Sequence, residues 1–305
     1  ELGMGRRGAR LERVGRHLTE ARRWADAIPP LLESAQDRSR GDDCAAGLRL
    51  LDLADRALDK LGAPPSDRRR GEALAERADA CLTIGAADRA IESANLLSRT
   101  AREHGWRDLE GRALLILGQI HLREYRAMDA RMMLTAALER LEHTTSVVPT
   151  ERALRLLARA LSHEGAYDTA AVHADRALKS AQRAGDASRT GEALQVLAAL
   201  QRNQGHSERA EELTRQAADH FARSGHHLLL ADAFVTIGEA RRERGDFDAA
   251  HHWFGKARDL WLRVGSEHAV MGALCVAGVE MERKQAAAGL AIVDAVEPTV
   301  RPGSY

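Results

Sequence analysis

The sequence predicts an all-α solenoid of stacked antiparallel helix pairs. Three observations carry that reading. Columns of Ala and Gly recur every 40 residues, and apolar residues repeat with helical spacing between them. β-branched residues are sparse, which disfavours a sheet-rich fold.

The N-terminal stretch comes first. In RLERVGRHLTEARRWADAIPPLLESA, the residues Leu11, Val14, Gly15, Trp24, Ala27 and Leu31 have the spacing of one helix pair. Gly15 lies 63 residues before Ala78, so the 40-residue register is broken here. A further helix at about 43–60, rich in Leu48, Leu50, Leu51, Leu53 and Leu58, fills the difference. Pro64 and Pro65 are expected to end it, since proline lacks an amide proton and restricts the residue before it. A mild boundary is placed there. It divides the chain into diverged N-terminal helices (1–66), a regular array (67–297) and a tail (298–305).

In the array, Ala90, Ala130, Ala170, Ala210 and Ala250 form one column, and Ala73, Ala113, Ala153, Ala193, Ala233 and Ala273 another. Gly85, Gly165, Gly205 and Gly245 mark a first breaker, with Tyr125 in the gap; Gly105, Gly185, Gly225 and Gly265 mark a second, missing at Thr145. Each unit therefore reads as two helices, for example 191–204 and 207–223. Glycine at both turns fits helix ends that need the left-handed conformation. Asp246 and Ser207 stand where an N-cap is useful. Small residues, Gly118, Gly238 and Gly278 with Ala78, Ala158 and Ala198, give neighbouring helices the room to cross at about 8–10 Å. The last unit opens with MGALCVAGVEMER and closes with the short apolar AAAGLAIVDAV. There Leu290, Ile292, Val293 and Val296 either fold back as a cap or meet another chain or domain, and Pro298 and Pro302 end the array.

These columns resemble the tetratricopeptide repeat (TPR) family. In ADAFVTIGEARRERGDFDAAHHWFGKAR, the residues Phe234, Ile237, Gly238, Gly245, Phe247, Ala250, Phe254 and Ala257 match its signature. Leu154, Leu157, Ala158, Gly165, Tyr167, Ala170 and Ala177 match in another unit. The usual period is about 34; a period of 40 implies longer helices, as in the TPR arms of large bacterial signalling ATPases, kinases and transcription regulators. The resemblance implies a right-handed superhelix of roughly seven helix pairs. It also likens the N-terminal stretch to the segment that follows the ATPase module in such regulators.

Composition excludes several classes. Basic and acidic residues balance at 45 each, and only 4% of residues are aromatic. A polyanion-binding surface and a base-stacking platform are both unsupported, so no direct nucleic-acid contact is expected. No apolar run approaches the ~20 residues that span a bilayer. Cys44, Cys81 and Cys275 are too far apart for a disulfide framework, and the cytoplasm is the expected compartment. The first residue is Glu1, which suggests a piece of a longer chain. No phosphate-binding loop, zinc-protease or serine-hydrolase motif is present. The histidine pairs His226–His227 and His251–His252 point in different directions on a helix, so no metal is expected. Neither cofactor nor catalysis is expected.

By resemblance, TPR ligands lie along the first helices, facing their second, fifth, ninth, twelfth and thirteenth positions. Those positions hold Arg112, Gln119 and Arg123, then Arg152, Arg155 and Arg159, then Gln195, Arg202 and Asn203, then Glu239 and Arg242. Arginine forks suit carboxylates. The expectation is a non-catalytic groove that reads an acidic segment of a protein or peptide, or of an effector module missing from this piece. The alternative for the arginines is solvated surface, partly paired with Glu192 or Glu239, since only four of the 45 basic residues are lysine. No unit has Lys at the fifth position with Asn at the ninth, so a chaperone-tail clamp is disfavoured. A free-standing scaffold and a small-ligand sensor remain the other functional readings.

Overall fold

The computed structural model describes residues 2–40, 43–266 and 268–296, and the chain forms two compact units, Glu1–Gly165 and Ala166–Tyr305. Among the described residues every regular element is a helix.

The first unit holds α1 (Leu2–Glu20), α2 (Trp24–Arg40), α3 (Cys44–Lys60), α4 (Arg68–Thr83), α5 (Ala87–Glu103), α6 (Arg107–Arg123), α7 (Ala127–Leu141) and α8 (Val147–His163). Each packs on its sequence neighbour, and the alternate helices α2, α4, α6 and α8 also touch in succession. α1 and α2 form the expected pair: a Cβ added to Gly15 would lie 2.7 Å from Leu31 Cδ2. α3 forms as expected, but its end comes earlier than the prolines. Leu61 is its C-cap, and Gly62 then turns left-handed at φ 69.

The second unit holds α9 (Tyr167–Arg183), α10 (Ala187–Asn203), α11 (Ser207–Ser224), α12 (His227–Glu243), α13 (Phe247–Arg263), α14 (His268–Glu282) and α15 (Ala286–Val296). Its core includes small clusters, each built from two or three consecutive helices. Phe221 sits among Leu194, Leu213 and Ala217; Phe254 sits against Ala250, Val276 and Val279.

Both breaker columns behave as local physics requires, with every glycine in them at φ between 65 and 85. Tyr125 takes the same left-handed turn at φ 58, without the freedom glycine has. Where Thr145 replaces the second breaker, α7 stops at Leu141. The Thr144 hydroxyl then donates to Leu141 O at 2.7 Å and accepts from Ser146 N.

Three details differ from the sequence reading. First helices start a turn early: α10 begins at Ala187, capped by Asp186, so Gly191 lies inside it. Gly191 is there for packing, because a Cβ would come within 2.6 Å of Phe221 Cε1. Ser207 is the first helical residue rather than the cap, whereas Asp246 does cap α13 by accepting from Ala249 N. Of the small column, Gly118 and Gly238 press on Leu134 and Phe254, but Gly278 faces open space. Gly289 makes the close crossing at that end, where an added Cβ would lie 2.9 Å from Met281 Cγ. In α15, Ile292 packs on the Phe254 cluster while Leu290 stays exposed, so the fold-back is partial. Pro298, Pro302 and the tail 298–305 lie outside the described residues.

Candidate functional site

In the first unit, positions facing the expected binding surface meet across α4, α6 and α8. Arg112 of α6 donates to Glu76 at 2.8 Å and reaches Asp79 at 3.3 Å, both on α4. Arg152 of α8 donates to Asp79 at 2.8 Å and to the Gln119 side-chain oxygen. Gln36 of α2 donates to Glu76 at 3.1 Å and extends the row by one more helix. The offset is periodic: Arg112 to Asp79 and Arg152 to Gln119 are each 33 residues. A residue at the second position of one unit therefore reaches back to the ninth position of the unit before.

The charges in this row are largely withdrawn from water. Burial pushes the Asp79 carboxyl up, but Arg152 and Arg112 outweigh it and hold the group below the usual carboxylate range. Burial likewise opposes the Arg112 charge, and Glu76 and Asp79 raise it well above the ordinary guanidinium value. Two guanidinium groups and two carboxylates thus neutralise each other in place. Arg112 and Arg152 brace the surface rather than standing free on it.

Farther toward the C-terminal ends of these helices the pattern changes. Arg123 donates to the backbone carbonyl of Leu82 at 2.7 Å, on the last turn of α4. Arg155 lies 3.2 Å from Glu151, four residues earlier on α8. Arg159 is exposed, and no carboxylate among the described residues lies within ion-pair distance of it. Burial, then the charges of Arg155 and Arg123, hold its guanidinium below the ordinary value.

In the second unit, Arg242 donates to Glu239 at 2.8 Å and to Glu282 at 2.8 Å, which raises its guanidinium value. Gln195 is half-buried, and Arg202 and Asn203 are exposed at the end of α10. Of the five expected site residues in this unit, Glu239 and Arg242 are bonded to each other.

The sequence reading missed Glu76, Asp79 and Gln36. The signal for Asp79 was present: it stands 40 residues before Gln119 and hence in the column of Gln119, Arg159 and Glu239. Gln36 and Glu76 are also 40 residues apart, but the array continues their column with Ile116, Leu156 and Val196, so nothing polar marks it.

Other chemistry is sparse. Among the described residues no group of three or more His, Cys, Asp or Glu is arranged to hold a metal ion, and no helix is long and apolar enough to cross a membrane. Cys81 is fully buried in the core, as expected of a packing residue, and burial raises the Cys275 thiol.

No known family profile and no curated protein matches the sequence. Solved structures do match. The apo form of RapI superposes with a TM-score of 0.67 at 12% identity, covering 91% of this chain and 78% of its own. A Pyrococcus horikoshii signal-transduction ATPase with numerous domains and a tetratricopeptide repeat sensor gives 0.65 at 15% identity, over 93% of this chain and 43% of its own. The chain has the tetratricopeptide-repeat fold. NprR in complex with its cognate peptide NprX also shares this TPR fold, with a TM-score of 0.59 at 12% identity, over 86% of this chain and 78% of its own. The TPR solenoid accounts for the face shared by α4, α6 and α8, because successive first helices of such an array lie side by side.

Proposed function

We propose that this chain is a non-catalytic binding domain that holds an acidic segment of a protein or peptide against its first helices. The observation that carries this reading is the arginine-rich face of α6 and α8. Its second-position arginines are fixed in place by Glu76, Asp79 and Gln119. A surface braced in this way loses little entropy when it binds, and arginine forks on it match carboxylates. The likeness to NprR with its peptide and to the repeat sensor of an ATPase supports the same use. In that reading the chain is the interaction arm of a larger cytoplasmic signalling protein of bacterial type.

The test is selection from a random dodecapeptide display library on the immobilised protein at moderate salt. Enrichment of sequences rich in Asp and Glu is the expected result. Enrichment of basic or wholly apolar sequences, or none, would overturn it.

A further inference from the structure

We infer that Arg159, with Arg155 beside it and Arg123 on the neighbouring helix, is the point where an anionic side chain of the bound segment seats. This rests on the peptide-binding reading and narrows it to one part of the surface.

Of the six expected contact residues in the first unit, Arg112, Arg152 and Gln119 are joined in the row that includes Glu76 and Asp79. An incoming carboxylate would have to break those bonds to use them. Arg155 is held at Glu151, and Arg123 is oriented by one bond to Leu82 O, which leaves other donors of its five-donor guanidinium for a ligand. Arg159 differs from all of these because no carboxylate offsets its charge.

The local geometry follows from the register. Arg152 is level with Gln119 of α6, since they are bonded. One turn on, α6 presents Arg123 and α8 presents Arg155, and Arg159 follows four residues later on the same face of α8. Like charges at this spacing repel, and an anion between them removes the repulsion. The Arg159 side chain is open to water, and the charges of Arg155 and Arg123 nearby work against its own. An anion placed there meets the Arg159 guanidinium fork, and charge-assisted hydrogen bonds of this kind are stronger than neutral ones. The ligand chemistry is a peptide carboxylate or phosphoryl group.

The experiment is fluorescence anisotropy with two labelled probes, hexaglutamate and a Gly/Ser peptide carrying one phosphoserine. Wild type is compared with Arg159→Gln and with Arg99→Gln, an exposed arginine on α5 that removes the same charge elsewhere. Circular dichroism confirms that all three are equally helical. At least one probe should bind wild type and Arg99→Gln alike, and bind Arg159→Gln about tenfold more weakly, the usual worth of a hydrogen bond to a charged group. The probe that binds identifies the carboxylate or the phosphoryl group as the ligand. Equal binding to Arg159→Gln, or no binding of either probe to wild type, would overturn the assignment. The display selection separates the two failures. Acidic peptides that bind Arg159→Gln as well as wild type would leave the peptide-binding reading standing and remove only this site.

Discussion

Arg152 donates to Asp79 at 2.8 Å although 73 residues separate them. Their helices, α8 and α4, are two repeat units apart, with α6 as the first helix of the unit between them. With Arg112 and Gln119 of α6 in the same network, three first helices are linked side by side.

Removing one member of this row leaves charge without its partner in a poorly hydrated place. Asp79→Asn should therefore destabilise the protein by about 2–4 kcal/mol, near the range for broken buried pairs. Arg209→Gln, at a pair exposed on both sides, should change stability by less than about 0.5 kcal/mol. Urea melts of the two variants check this. Equal, small effects would mean that the row is solvated.

Acid should weaken the fold with a definite sign. The Asp79 carboxyl titrates lower in the folded chain than in the unfolded one, because Arg152 and Arg112 outweigh burial. Its contribution is complete above the unfolded value of about 4 and is lost as pH falls through the lower folded value. Glu211 behaves alike, since bonds and charge from Arg241, Arg215 and Arg244 outweigh its burial. Melting temperature should drop between about pH 5 and pH 3. The drop should be shallower in Asp79→Asn, and a parallel curve would exclude Asp79 as a contributor.

The glycines divide into two kinds by what faces them. A Cβ on Gly118 would lie 2.6 Å from Leu134 Cγ, while one on Gly278 meets nothing within 4 Å. Gly118→Ala should cost about 1–3 kcal/mol through overpacking. Gly278→Ala, inside α14, should stabilise by about 0.5–1 kcal/mol through helix propensity. Thermal melts of the pair give opposite shifts if the crossings are assigned correctly.

Tyr125 occupies a left-handed turn that glycine fills at the equivalent points of other units, and its side chain is 87% exposed. Tyr125→Gly loses almost no packing and relieves a strain of about 1 kcal/mol. A higher melting temperature is expected, and a lower one would mean that the ring holds the turn.

The N-caps give a further contrast. Asp246→Ala should cost about 1 kcal/mol, because it strands the Ala249 amide, while Ser207→Ala should be nearly silent. Equal losses in denaturant melts would show that Ser207 caps after all.

The sequence by itself determined the helix pairs, their 40-residue period and the turns between them. These are local properties. Helical periodicity shows in apolar spacing, and a left-handed turn demands glycine wherever it occurs, as at Gly85 and Gly245. The period also puts Arg112 and Arg152 at one position of successive units and Asp79 and Gln119 at another, while their placement on a binding face was only what the TPR resemblance implied. Only the tertiary structure decided which of those arginines are engaged and which glycines carry a crossing. Arg112 and Arg159 look alike in the sequence. They differ because Glu76 and Asp79 reach the first from another helix, while no carboxylate among the described residues reaches the second. Gly118 and Gly278 share a column, and they differ because Leu134 presses on one and open space faces the other. Ion pairing and close packing depend on atoms brought together over dozens of residues, and a repeat period fixes position without fixing the partner.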